Sequence, residues 1–194
     1  MNHFFAYMDR LKLIHRWGLM RNLIPENDME HSMQTAMIAH GLAALTNSRY
    51  GGHMDVGKVV TMAIYHDASE VITGDMPTPV KYKTPELQEA YHRIENGARS
   101  QLCEMLPEDL RPSFEPWLQP DESTPEWHIV KAADRISAYL KCLEEEKVGN
   151  QDFRVARETI LESLRAMEMP QVQDFLREFV PSFTLSPDEL SKES

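Results

Sequence analysis

The sequence predicts an all-α protein folded as a single domain. Glycine is scarce, at 8 of 194 residues, and runs of β-branched residues are short. Apolar residues instead recur at spacings of three and four, which is the period of an amphipathic helix. We therefore expect essentially no sheet. The chain is close to the usual length of one domain, and its hydrophobic content of 42% is enough for one sizeable core.

The N-terminal part of the chain divides into three predicted helices. An apolar stripe indicates a first helix over 4–14, followed by an irregular exit loop. Asn27 with Glu30 three residues later is typical of a capping pair, so a second helix should begin near Asp28. A third helix should run over 55–72. The predicted core face of the second helix consists of Met33, Ala36, Met37, His40, Ala43 and Ala44.

Prolines interrupt the helical pattern in the rest of the chain. The segment 73–85 contains Gly74 and three prolines, so it should be a loop of restricted geometry. A second proline-rich break covers 107–125. The polar tail over 181–194 has little apolar area and should fray, which leaves 1–180 as the domain. Further helices are predicted over 86–105, 126–147, 153–167 and 172–179.

The charge of the chain excludes one class of partner. A formal net charge of −11 disfavours a nucleic-acid polymer, because affinity for a phosphate backbone comes largely from many Lys and Arg contacts. A small anionic substrate remains possible if a metal ion and a few cations reverse the field in one pocket. The acidic run 144–146 is most simply a solvated helix end.

The N-terminus and the cysteines predict a cytoplasmic protein. The first residues lack a basic segment followed by an apolar run, and no stretch approaches the roughly 18 apolar residues of a membrane span. We expect neither export nor a membrane partner. Cys103 and Cys142 lie in helix-forming segments, which predicts no disulfide and no thiolate metal cluster.

The strongest chemical signal is His66-Asp67 in an otherwise apolar predicted helix. An unpaired carboxylate among core residues is costly, so a partner of opposite charge is expected, and a divalent cation meets that need. Glu70 is placed to act as an acid or base on the same side of the helix. The alternative is a buried hydrogen-bond network with Glu70 in solvent.

Two more candidates lie far away in the sequence. His31 is in the first turn of the second predicted helix, and Asp134 is at the edge of an apolar stripe. Each by itself is more typical of a satisfied or exposed residue. However, a His, then His-Asp 35 residues later, then Asp a further 67 residues on, all on predicted helices, resembles the HD-domain phosphohydrolases.

The flanking residues make that resemblance more specific. They are similar to the bacterial 5′-deoxynucleotidases over nearly the whole chain. The matching segments are Arg16-Trp17, Glu30-His31-Ser32, 65–70, 73–81, 138–145 and 179–183.

The resemblance implies an HD-domain helical bundle that forms homodimers and removes phosphate from deoxyribonucleoside 5′-monophosphates. It implies one divalent metal ion such as Co, Mn, Zn, Fe or Cu. Glu70 and Arg16 match catalytic positions, with Glu70 as the acid or base and Arg16 orienting the phosphate. The metal ligands by position are His31, His66, Asp67 and Asp134. The substrate-binding residues by position are Arg16, Trp17, Asp67, Asp75, Met76, Pro77, Thr78 and Asp134.

The residue types suit this chemistry. Two imidazoles with two carboxylates form a mixed site that a transition metal prefers and calcium does not. The planar guanidinium of Arg16 matches two phosphate oxygens. Trp17 is expected to stack on the sugar or base, although it could instead be a packing anchor. Asp75 can accept from a sugar hydroxyl, and a tight wall beside it would reject a 2′-hydroxyl.

Two alternative functions remain open at this stage. One is another HD-type hydrolase that acts on a cyclic nucleotide, a nucleoside triphosphate or an alarmone. The other is a non-catalytic helical sensor of a metal or nucleotide. Intact ligand positions together with Glu70 argue against the sensor. The main prediction is a cytoplasmic enzyme of nucleotide salvage or pool balance, and Met76 and Arg135 leave its substrate choice open.

Overall fold

The computed structural model describes residues 1–192, and over that range the chain forms α-helices, short 3-10 helices and no β-strand. The all-α prediction is confirmed. The 3-10 helices cover Asp9–Leu13, Gln151–Phe153 and Val180–Thr184. The α-helices are α1 (Phe4–Met8), α2 (Asp28–Arg49), α3 (Val56–Tyr65), α4 (Glu70–Thr73), α5 (Thr78–Lys81), α6 (Pro85–Glu104), α7 (Arg111–Leu118), α8 (Pro125–Lys147), α9 (Arg154–Arg165), α10 (Pro170–Glu178) and α11 (Pro187–Leu190).

Helices α2 and α8 form the centre of the bundle. They pack against each other, α3 packs against both, and α9 and α10 complete the main core. The side chains of Leu42, Ile129 and Ile136 have no more than trace exposure there. A second apolar cluster joins α1 to α6 and α7. The bundle therefore brings together residues that are a hundred positions apart in sequence.

The start of α2 follows the predicted cap. The Asn27 side chain accepts hydrogen bonds from the N–H groups of Met29 and Glu30, at 3.1 and 3.0 Å. The Glu30 carboxylate in turn accepts from the Asn27 N–H at 3.3 Å. This reciprocal capping satisfies N–H groups that have no partner within the helix, so α2 begins at Asp28 as predicted.

The predicted third helix over 55–72 is wrong as a continuous element. Helix α3 ends at Tyr65, and α4 begins only at Glu70. The ring Nδ1 of His66 bonds the Ala63 carbonyl at 2.8 Å, and an uninterrupted helix would offer that carbonyl to the Asp67 N–H. The turns tighten accordingly, since Glu70 N–H bonds the Asp67 carbonyl three residues back. His66 and Asp67 thus lie at a helix end.

Other boundaries differ where short elements meet prolines or the chain ends. The first helix changes to a 3-10 helix after Met8, and the two proline-rich breaks contain α5 and α7. The tail forms a 3-10 helix and then α11, which Ser186 caps. Glu193 and Ser194 lie outside the described residues. The domain boundary at residue 180 stays a prediction.

The predicted core face of α2 is wrong for three of its six residues. Met33 and Met37 are 56% and 61% exposed, and His40 is also exposed, whereas Ala36 and Ala43 are buried. Helix α2 carries apolar residues nearly all the way round, so the periodicity does not specify which side faces the core. The side that carries His31 and Leu42 turns inward instead.

The acidic run at the end of α8 is also not uniformly solvated. Glu144 is exposed, but Glu145 has no exposed surface, because loop and helix groups surround its carboxylate.

Cys103 and Cys142 are both buried free thiols. Over the described residues, no helix combines the length and the apolarity that are needed to cross a bilayer.

Candidate functional site

The structure brings His31, His66, Asp67 and Asp134 together in one place. His31 comes from the first turn of α2, His66 and Asp67 from the end of α3, and Asp134 from the middle of α8. His66 Nε2 lies 3.1 Å from an Asp67 oxygen. His31 Nε2 lies 3.2 Å from an Asp134 oxygen and 3.6 Å from the same Asp67 oxygen. These four side chains form a cluster that is a candidate metal site.

Hydrogen bonds orient both imidazoles toward the cluster. His66 Nδ1 lies 2.8 Å from the Ala63 carbonyl, which can only accept, so this nitrogen carries the proton. His31 Nδ1 lies 3.0 Å from Ser137 Oγ, whose own proton goes to Gln34 Oε1 at 2.6 Å. Both rings therefore direct Nε2 into the cluster, and imidazole binds a metal through a nitrogen that carries no proton.

The carboxylates of the cluster are ionised. Burial alone raises the pKa of Asp67, but the adjacent imidazoles of His66 and His31 outweigh burial and hold it below its usual range. Burial likewise raises the pKa of Asp134, and the Lys131 cation with the two histidines lowers it well below its usual range. An ionised carboxylate is the form in which an aspartate binds a divalent cation.

The donor set fits one small transition-metal ion. His66 Nε2 is buried without a hydrogen-bond partner among the described residues. One donor atom each from His31, His66 and Asp134 lie within 4.8 Å of one another. A tetrahedral ion with bonds of about 2.0–2.2 Å holds its ligand atoms roughly 3.3–3.6 Å apart, close to the spacings that Asp67 makes with both rings. An ion here would give the unpartnered nitrogen a bond.

Arg16 reaches the cluster from the loop between α1 and α2. One guanidinium nitrogen is 3.4 Å from the Asp67 oxygen that faces the histidines, and Nε is 3.2 Å from Glu26 Oε2. Burial lowers the pKa of Arg16, but Asp67 and the other acidic groups raise it, so the cation is permanent. Arg16 thus places a fork of donors beside the proposed ion.

Trp17 is held in an unusual backbone conformation next to Arg16. Its φ angle is 61°, in the left-handed region that a bulky residue rarely adopts. The indole Nε1 donates to Glu26 Oε2 at 3.2 Å, and the ring packs against Phe153 with centroids 5.2 Å apart. Such strain persists only where the surroundings enforce it, and it is concentrated at functional sites.

Glu70 lies at the start of α4, next to a carboxyl that sequence reasoning missed. The carboxyls of Glu70 and Asp28 are neighbours, and each affects the pKa of the other. Asp28 has no exposed surface, and no described group donates to either of its oxygens. Burial raises the pKa of Glu70 well above its ordinary value, as do Asp67 and Asp28. The pair therefore retains a proton.

Asp75, the first residue of the segment 75–78, lies near Arg16 and Asp67 of the site. Asp75 is half-buried, and the Trp17 N–H is near enough to its carboxylate to lower its pKa. Burial raises the pKa of Asp75, although nearby Arg16 lowers it. Met76 and Pro77 are half-buried and Thr78 is exposed, at the start of α5. Of the four predicted sugar-loop residues, Asp75 is thus the one with a described interaction with Trp17.

Sequence reasoning missed three further groups around the cluster. Asp28 entered the sequence analysis only as the start of a helix, and Glu26 only as part of an irregular loop. Lys131 Nζ lies 2.6 Å from the second oxygen of Asp134 and is half-exposed. Only the i, i+3 spacing of Lys131 and Asp134 on one helix offered a signal. Arg135, by contrast, is exposed.

The helical bundle with this cluster has the fold of the HD-domain phosphohydrolases. An HD-domain phosphohydrolase from Listeria innocua has a similar structure, with a TM-score of 0.81 and 25% sequence identity over 97% of this chain and 92% of that one. The cyanophage S-2L HD phosphohydrolase (DatZ), solved with dA and one catalytic Zn²⁺ ion, is 22% identical with a TM-score of 0.64, covering 92% and 95%. At that identity the second likeness concerns the fold alone.

The chain belongs to the 5′-deoxynucleotidase YfbR-like family, whose model matches residues 3–183. A 5′-deoxynucleotidase of Erwinia tasmaniensis is 48% identical over 194 residues, which cover 100% of this chain and 98% of that protein. A 5′-deoxynucleotidase of Klebsiella pneumoniae is 47% identical with the same coverage. The resemblance read from the motifs is confirmed.

Proposed function

We propose that this protein is a metal-dependent 5′-deoxynucleotidase, which converts deoxyribonucleoside 5′-monophosphates to deoxyribonucleosides and phosphate. The observation that carries the proposal is the convergence of two oriented imidazoles and two ionised carboxylates beside Arg16, in a chain of this family. Its place is nucleotide salvage or pool balance in the cytoplasm.

His31, His66, Asp67 and Asp134 would hold one divalent ion. Phosphate monoester hydrolysis is very slow without catalysis, and a bound ion would polarise the phosphoryl group and acidify a water molecule. Zn, Mn, Co, Fe and Cu all suit the donor set. Arg16 donates to two phosphate oxygens from the side where it now contacts Asp67.

Glu70 acts as the general acid and base of the reaction. Burial and the neighbouring carboxylates keep a proton on the Asp28–Glu70 pair. Glu70 can therefore deliver a proton to the departing sugar oxygen and recover one from the attacking water. Asp28 does not need to touch the substrate, since its effect reaches the reaction through Glu70.

The sugar is bound by the segment that follows α4. Asp75 accepts a hydrogen bond from a sugar hydroxyl, and Trp17 lies beside it. Pro77 has a restricted φ angle and closes the segment together with Met76 and Thr78. A rigid wall at this point would clash with a 2′-hydroxyl and leave it without water, which would select deoxyribose; equal turnover of ribo- and deoxyribonucleoside monophosphates would refute this.

The test is phosphate release by metal-stripped protein that is resupplied with single divalent ions. Deoxyribonucleoside monophosphates should be hydrolysed, while ribonucleotides, cyclic nucleotides, triphosphates and alarmones should be poor substrates. Asp67→Asn should lose both bound metal and turnover, whereas Glu70→Ala should keep metal and lose rate. Asp109→Asn, at an exposed carboxylate away from the site, is the control. Turnover that survives metal removal would overturn the mechanism.

The protein acts as a homodimer in this proposal, and the outer side of α2 supports it. Met29, Met33 and Met37 follow one another at helical spacing and are 39%, 56% and 61% exposed. We refer to Met29, Met33 and Met37 as the methionine face. The exposed His40 lies beyond its C-terminal end, and Glu30 is the charged residue beside it. Helix α2 is about 33 Å long, so two copies crossing along this face would bury a continuous apolar strip.

Sedimentation tests the homodimer separately from catalysis. Met33→Lys with Met37→Lys should convert a dimer into a monomer, because each charge would be buried against the second copy. Val155→Lys changes an equally exposed apolar residue on α9 and should leave the dimer intact. A wild-type protein that sediments as a monomer at all concentrations would remove the dimer, and the metal site would be unaffected.

A further inference from the structure

The side chain of Glu145 is buried at the end of α8, outside the proposed active site. Its carboxylate accepts from the N–H of Leu23 at 3.0 Å and from the N–H of Ile24 at 3.0 Å. It also accepts from Lys141 Nζ at 2.6 Å and from Asn150 Nδ2 at 2.7 Å. Four donors on one carboxylate are more than an ordinary helix-end glutamate makes.

Lys141 and Asn150 extend the same contacts to backbone carbonyls. Lys141 Nζ donates to the Ile24 carbonyl, and Asn150 Nδ2 donates to the Arg21 carbonyl at 2.7 Å. We refer to Lys141, Glu145 and Asn150 as the loop clamp. Residues 21–24 belong to no helix, so their backbone groups need outside partners, and the loop clamp supplies both donors and acceptors.

The clamped residues belong to the loop that carries Arg16 and Trp17. Asn22 Nδ2 donates to the Trp17 carbonyl at 3.2 Å, which ties the clamped part of the loop to the strained residue. Phe153 contacts both Trp17 and the loop clamp. Its ring centroid lies 5.2 Å from that of the Trp17 indole and 5.8 Å from Lys141 Nζ. A change at Glu145 therefore has a short path of contacts to Trp17.

A buried ion pair gives little stability compared with apolar packing, so stability does not account for this cluster. The loop clamp does hold residues 21–24 in one conformation, because the backbone N–H and carbonyl groups that it contacts each have a specific partner in the clamp. Burial raises the pKa of Glu145, and the hydrogen bonds from Lys141, Asn150 and the loop outweigh burial and lower it to about 2. The Glu145 carboxylate therefore remains ionised throughout the neutral range.

We propose that Glu145 is a positioning residue that, through Lys141, Asn150 and residues 21–24, holds Arg16 and Trp17 in their orientation toward the nucleotide. This inference rests on the proposed function, and it gives the matching segment 138–145, to which the resemblance assigned no role, a part in substrate affinity. It predicts an effect on KM at a residue that touches neither substrate nor metal.

The test compares Glu145→Gln with Glu144→Gln, which removes the same charge from the exposed neighbouring residue. In Glu145→Gln, KM for a deoxyribonucleoside monophosphate should rise about tenfold or more, with a smaller change in kcat. The affinity for Mn²⁺, measured by chelator competition, should stay within twofold. Amide hydrogen exchange over residues 20–24 should become faster. The Glu144→Gln protein should match wild type in all three measurements.

If Glu145→Gln does not fold, Asn150→Ala serves instead. It removes the two hydrogen bonds that Asn150 Nδ2 donates, together with the one that Oδ1 accepts from the Asp152 N–H, and it leaves the ion pair in place. Unchanged KM and unchanged exchange over residues 20–24 in the folded variant would overturn the inference. The exchange experiment needs no substrate. A wild-type protein without nucleotidase activity would therefore refute the proposed function, while the exchange data would still report on the clamp.

Discussion

Replacing Asp28 with asparagine should make the metal-free protein more stable at alkaline pH while reducing its activity. Asp28 has no exposed surface and accepts no hydrogen bond from a described group, and its ion pair with Arg16 is long, at 3.8 Å. An ionised carboxylate in such a place is costly, whereas an amide of the same shape carries no charge and can donate to Glu70. The variant therefore separates stability from function at one residue.

The magnitude follows from the pKa of the buried carboxyl. Burial raises the pKa of Asp28 from an ordinary 3.8 to about 7. Because the folded protein holds this proton more tightly than the unfolded chain, the contribution is favourable below pH 4 and is lost as the pH rises through 7. A shift of about three pKa units corresponds to about 4 kcal/mol. Asp28→Asn lacks this loss, so its advantage should grow with pH.

Urea unfolding at several pH values measures the difference directly. Both proteins should be unfolded in the presence of a chelator, since a bound ion would stabilise the folded state by mass action. The free energy of unfolding of Asp28→Asn, relative to wild type, should rise by roughly 3 kcal/mol between pH 5 and pH 8. Asp109→Asn should show no such trend. A difference that does not change with pH would refute the reasoning about the buried pair.

Three further predictions concern the metal, the phosphate and the loop. Saturation at a hundred times the Kd of an added Mn²⁺ or Zn²⁺ ion should raise the Tm by roughly 5–10 °C, and a shift that persists in Asp67→Asn would place the ion elsewhere. Arg16→Lys should lower kcat/KM by about 10- to 100-fold in steady-state assays at unchanged metal content, because one ammonium cannot replace a fork of donors; equal kcat/KM would count against phosphate binding. Phe153→Leu should cost about 1 kcal/mol in urea unfolding and raise KM, since Trp17 loses its ring contact; an unchanged KM would show that the contact is only structural.

The all-helical class and the long helices could be predicted from the sequence because they depend on local properties. The Asn27–Glu30 cap acts over three residues, and it begins α2 where predicted. Likewise, the apolar stripe near Asp134 predicts α8 to within a residue at each end. The candidate site residues were also found in sequence, but through the order of a motif that is shared with related proteins. Periodicity by itself left His31 and Asp134 as ordinary helix residues.

The errors lie where local patterns have more than one solution. Helix α2 is apolar on nearly every side, so packing against α3 and α8 decided that Met33 and Met37 face outward. The helix break after Tyr65 depends on the His66 ring bonding the Ala63 carbonyl, a choice that the helical period does not encode. Glu145 appeared to be one of three similar acids until the loop folded over it.

The sequence by itself determined the helical class, the capped start of α2 and the identity of the residues that can bind a metal or a phosphate. Only the tertiary structure decided which of them meet: the pairing of Asp28 with Glu70, the contact of Lys131 with Asp134 and the burial of Glu145. The physical reason is distance along the chain. Propensity and capping act within a few residues, whereas the electrostatics of a site depend on groups that become neighbours only when the bundle closes.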